Sequence, residues 1–129
     1  MKAGKKMKVL DLHCDALLRL QEHKGALSFE NSVSLNVNYQ KMKAGDVKVQ
    51  AFAIFIEPDI LVEDKYASAL EQVRYFKEEV IGKNPKIKQI RKWEDLEKLA
   101  EDEIGAFLTL ESVESIGNDI KKLEFLLVE

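Results

Sequence analysis

The sequence predicts an α/β protein built on a parallel sheet. Strand-like and helix-like segments alternate along the chain, and residues 51–56, Ala51-Phe52-Ala53-Ile54-Phe55-Ile56, are apolar on both faces. A strand covered by helices on both sides has that continuous character. With 129 residues and 46% hydrophobic content, the chain has the length and the apolar material of one domain with its own core.

The first strand is expected over residues 8–12. A short helix should follow, with Leu17, Leu18 and Leu20 on one side and Gly25 as its stop. Residues 27–39 mix Ser and Asn with alternating apolar positions (Val33, Leu35, Val37), which suits a loop or a short edge excursion better than a core element. Lys41, Met42 and Lys43 read as one more helical turn closed by Gly45. The clearest strand runs over residues 47–56 and should lie centrally. Pro58 and Asp59 break it and start a helix in which Val62, Tyr66, Leu70, Val73, Phe76 and Val80 recur at steps of three or four, up to Gly82. A brief strand is expected at residues 86–90, and a helix at 93–100 with Trp93, Leu96 and Leu99 inward. A third major strand follows at 104–110, and a last helix begins near residue 118.

Composition excludes several function classes. Twenty basic and 23 acidic residues leave a net charge of -3, too little attraction for phosphate backbones or anionic membranes, so neither nucleic acid nor a membrane is an expected partner. No run approaches the ~18 apolar residues of a membrane helix. The lysines at positions 2, 5, 6 and 8 precede no apolar segment long enough for a signal peptide. The single cysteine, Cys14, has no intrachain disulfide partner, which fits a reducing compartment; the expected location is the cytoplasm.

The segment Val9-Leu10-Asp11-Leu12-His13-Cys14-Asp15 carries the most chemistry. Side chains at i and i+2 of an extended chain share a face, so His13 and Asp15 present a nitrogen and an oxygen donor together, half of a site for a divalent ion such as zinc. Glu111 follows the third major strand. In parallel α/β folds the strands' C-terminal ends form the site, which puts all three residues at one edge. A glutamate there can bridge two metal ions through its two oxygens. Cys14, between the two donors, should point the other way and pack. Glu57 is read as a loop carboxylate at the site's edge and His23 as a surface residue.

Three places together resemble the membrane (renal) dipeptidases and their bacterial relatives, zinc peptidases of the amidohydrolase type. Asp11-Leu12-His13-Cys14-Asp15 is similar to the family's first-strand Asp-x-His-x-Asp motif. Residues 42–52, with Gly45 and then Gln50-Ala51-Phe52, resemble its second strand, and Leu110-Glu111-Ser112-Val113-Glu114 resembles its third-strand Glu motif. The resemblance implies the N-terminal part of a (β/α)8 TIM-type barrel, in which residues 1–129 form a single unit and the C-terminal remainder is absent. It implies a binuclear site in which His13 and Asp15 bind one zinc and Glu111 bridges to a second, and hydrolysis of dipeptides by a metal-bound hydroxide. The second metal's ligands, the catalytic Asp and the substrate-binding residues would come from later strands. Ser112 and Val113 stand where a Gly pair is common, which bears on pocket shape and substrate preference, and Glu114 stands where the animal enzymes often have His.

Two other readings stay open: a catalytically silent fragment acting only with a complementary chain, and a related metal-dependent hydrolase of another amide or ester. A third of a barrel would leave the strand after Ile104 with an unpaired edge, and the barrel-facing side of Phe52, Ile54 and Phe107 uncovered. The 129-residue chain is therefore expected to be inactive alone, and to pair with the missing portion or self-associate.

Overall fold

The computed structural model describes residues 8–24 and 26–110. Four parallel strands form one sheet, β1 (Val9–Asp11), β2 (Val47–Ile54), β3 (Ile87–Gln89) and β4 (Ile104–Leu110), in the order β1-β2-β4-β3. The expected central strand is β2, flanked by β1 and β4. Helices α1 (Ala16–Glu22), α2 (Tyr39–Ala44), α3 (Val62–Tyr75) and α4 (Trp93–Glu97) lie in the connections. The expected helix from residue 118 lies outside the described residues.

Local chemistry explains the boundaries. The Asn38 side chain accepts the Lys41 N–H at 2.8 Å and starts α2. Beyond α2 the left-handed residue is Asp46 (φ 58°), not Gly45; a short polar side chain tolerates that conformation. The helical run of α3 continues as a π-turn, Phe76–Ile81, in which Gly82 N–H bonds the Lys77 carbonyl at 2.8 Å. Asn84 then caps the run, donating to the carbonyls of Glu79 and Val80.

The core lies between the sheet and α1, α2 and α3. Phe52 sits at its centre, with ring centroids 5.4 Å from both Phe29 and Phe76, and Ile54 is buried in the same cluster as Leu17, Leu20 and Val73. This corrects the expectation that Phe52 and Ile54 face a barrel interior. They face the helices, and by strand alternation the opposite face carries Val49, Ala51 and Ala53, with Phe107 in register with Ala51.

Four other expectations change. Phe29 and Leu35, in the connection read as a loop, are fully buried, because that loop folds back over β2 and closes the core. Val62, at the first position of α3, is exposed. Trp93 is 72% exposed: α4 has only five residues, and none of them is buried. The edge of β4 is also not bare along its whole length, since β3 pairs with Ile104, Gly105 and Ala106. Among the described residues, no helix is long and apolar enough to cross a membrane.

Candidate metal site

The segment between β1 and α1 holds the site. In the ladder that pairs Asp11 with Gln50, an unbroken register would carry the Ala53 N–H to the carbonyl of residue 13. It goes instead to Cys14, at 2.9 Å, so one extra residue has entered on the β1 side. Such bulges re-aim side chains next to functional sites. Here the slip turns Cys14 into the core, where it is buried, and leaves His13 and Asp15 half exposed, at 52% and 51%. The Asp11 carboxylate accepts the His13 N–H at 3.1 Å and braces the slip. Sequence reasoning put the two donors on one side correctly from their spacing; which side they take is set by a bulge beyond the strand's end.

His13 Nε2 and Asp15 Oδ1 stand 3.3 Å apart. Asp15 occupies the N-cap position of α1 yet makes no capping bond, forgoing a contribution of about 1 kcal/mol; its carboxylate lies beside the imidazole instead. An imidazole nitrogen and a carboxylate oxygen so placed form a favourable pair only with a proton or a cation between them. Two donors each about 2.1 Å from one tetrahedral zinc lie roughly 3.4 Å from each other, so the spacing and the N,O donor set both fit that ion. Among the described residues, no group of three or more His, Cys, Asp or Glu side chains is gathered for a metal. The third expected ligand, Glu111, lies outside the described residues. Leu110, which precedes it, pairs with Ile54 at the C-terminal end of β2.

A cavity of about 260 Å³ opens at the pair, lined by His13, Cys14, Asp15, Arg19, Asn36 and Val37. Arg19, Asn36 and Val37 were not expected at the site from the sequence. Arg19 had a signal, being four residues and so one helical turn past Asp15 on α1. Asn36 and Val37 had none, since only the folded loop brings them near. Cys14 is buried in the core cluster, and that burial pushes its thiol up to about 12, the direction that disfavours the thiolate a nucleophile needs. His23 is exposed, its Nδ1 3.0 Å from the Arg19 carbonyl, as expected of a surface residue.

Glu57, at the exit of β2, shares a hydrogen bond with the Glu22 carboxyl, and this, then desolvation, raises it above its ordinary value. A raised carboxyl contributes stability that is present at low pH and lost as pH climbs through its folded-state value. Glu57→Gln is therefore expected to flatten the fall in melting temperature between the carboxylate range and neutrality. Thermal melts across that window check this, and an unchanged pH profile would show the Glu22–Glu57 contact to be without consequence.

Comparison with known proteins follows from this geometry. A family model described as membrane dipeptidase (peptidase family M19) matches residues 2–127. Among solved structures, dipeptidase AC, described as a metallopeptidase of family M19, is similar with a TM-score of 0.74 at 19% identity, over 94% of this chain and 41% of that one. A metallopeptidase from Rhodobacter sphaeroides, solved with a phosphinate mimic of the dipeptide L-Ala-D-Ala, is similar with a TM-score of 0.78 at 19% identity, over 94% of this chain and 42% of that one. The chain thus spans about two fifths of the length of these structures, and its fold is that of the N-terminal part of their (β/α)8 barrels. No curated protein matches. With the family model matched over all but the first residue and the last two, the chain belongs to the membrane dipeptidase family, peptidase family M19.

Proposed function

We propose that this chain supplies part of the binuclear metal site of a zinc-dependent dipeptidase. The observation that carries this is the 3.3 Å approach of His13 Nε2 to Asp15 Oδ1 at the mouth of a cavity, in a chain of family M19. His13 and Asp15 would hold one zinc ion, and Glu111 would bridge it to a second. Bound zinc supplies Lewis acidity that brings water ionisation near neutral pH. His13 and Asp15 fix the nitrogen and oxygen donors in place, while Asn36 brings an amide to the cavity wall beside Arg19, whose guanidinium lies 3.5 Å from the Glu22 carboxylate. The remaining ligands and the catalytic carboxylate would come from outside these 129 residues, so the chain alone would be inactive. A reducing compartment such as the cytoplasm suits its lone buried cysteine.

The test is metal exchange on the complete protein. Chelation is expected to abolish hydrolysis of a broad dipeptide panel and zinc to restore it. If zinc-loaded protein cleaves no dipeptide in the panel, a hydrolase of another amide or ester is the better assignment.

The partner reading belongs here too. Leu10 is 60% exposed, Leu12 65% and Trp93 72%, and with Val49, Leu96 and Phe107 they line an apolar groove of about 370 Å³. Apolar surface of this kind drives association. The isolated chain is expected to pair with the rest of the barrel or with itself. Sedimentation velocity across a hundredfold concentration range would refute this if it returned a compact monomer throughout.

A further inference from the structure

We propose that Asp11 is the positioning residue that sets the register of the metal-binding segment, through the bond from its carboxylate to the His13 N–H. Three observations converge on it. The His13 N–H meets Asp11 Oδ1 at 3.1 Å, an aspartate bonding its own backbone two residues on. The slip lies within the same stretch, since Asp11 is still paired with Gln50 while Cys14 already bonds Ala53 one position out of step. The side chains then sort by exposure, Cys14 inward and His13 and Asp15 outward.

A parallel ladder continued from Asp11 without the slip would reverse this sorting. His13 and Asp15 would turn toward the layer of Leu17, Phe52 and Phe76, and the Cys14 thiol toward solvent. Because the strand period is two, one residue of slip exchanges the faces. The Asp11 carboxylate tips the balance by occupying the His13 N–H, which is then unavailable to an unbroken ladder. Gln50 supports the same turn: its buried amide donates to the Ala51 carbonyl at 3.1 Å and lies 3.5 Å from the Asp11 carbonyl, holding the last paired residue of β1 against β2.

Thiol accessibility reads the register without reference to metal or activity. Under native conditions Asp11→Ala is expected to raise the alkylation rate of Cys14 by iodoacetamide by about fivefold to tenfold, the equivalent of one net hydrogen bond. Asp11→Asn keeps an acceptor at the same place and should react as slowly as the parent. Loosening of the segment gives a rate independent of sub-denaturing urea, whereas exposure by global unfolding rises steeply with it. Equal Cys14 reactivity in the parent and Asp11→Ala, or an increase that follows global unfolding, would overturn the proposal.

The consequence for metal rests on the function proposed above. Zinc affinity, measured by competition with a chromogenic chelator in the complete protein, should fall in Asp11→Ala and be retained in Asp11→Asn. If the parent binds no zinc while Cys14 behaves as expected, the positioning role stands and the metal reading falls.

Discussion

Alanine at His13 or at Asp15 is expected to lower the zinc affinity of the complete protein by at least about a hundredfold and to remove dipeptide hydrolysis, with the fold intact. Even residues that only orient a metal ligand are worth roughly tenfold to a hundredfold, and a ligand itself carries more. Both side chains are half exposed and Asp15 makes no helix-capping bond, so truncation creates no cavity and orphans no cap. The stability change should stay within about 0.5 kcal/mol, as for ordinary surface substitutions. Competition with a chelator measures the first quantity, and urea unfolding of the metal-free protein the second. Wild-type zinc affinity in both variants would sink the metal assignment. A large loss of stability in the metal-free state would instead make the pair a structural contact.

How much of this was legible from the residues depends on the range of the interactions. The β2 strand, the long helical run ending at Gly82, and β4 at Ile104–Leu110 were readable because each carries its own hydrophobic period. The pairing of His13 with Asp15 was readable because two residues two apart are neighbours in any extended segment. The slip that aims them was not, since it depends on which β2 amide meets which β1 carbonyl, a non-local fact. The face taken by Phe52 was misjudged for a related reason: in a run apolar on both sides, periodicity cannot say which side meets the helices. Phe29 and Leu35 look like loop residues from composition, yet they close the core because the chain between α1 and α2 packs across β2. Trp93 was expected inward from its helical spacing alone, but in a helix as short as α4 tertiary placement overrides the stripe.

Gln72 offers the test of how the site's framework is held. This fully buried side chain on α3 clasps the backbone of Phe55 just past β2, accepting its N–H at 3.0 Å and donating to its carbonyl at 2.7 Å. The same amide donates to Gln21 Oε1 on α1 at 2.9 Å, and the Gln21 amide donates in turn to Ser68 and Glu71. One amide therefore stands in for a neighbouring strand at the exit of β2 and ties α1, which starts directly after Asp15, to α3. Gln72→Leu keeps nearly the same volume, so no cavity forms and the lost bonds act alone. Each buried polar group left without a partner costs about 1–3 kcal/mol, and two are left, on Phe55 N and Phe55 O, since Gln21 Oε1 keeps the Ser68 hydroxyl at 3.4 Å. The expected loss is about 2–4 kcal/mol, a large part of the 5–15 kcal/mol that holds a typical domain folded. Urea unfolding of the complete protein measures it. A loss below about 1 kcal/mol would mean that water satisfies the Phe55 backbone as well as Gln72 does, and that the β2 exit is held by packing around Phe52 instead of by this network.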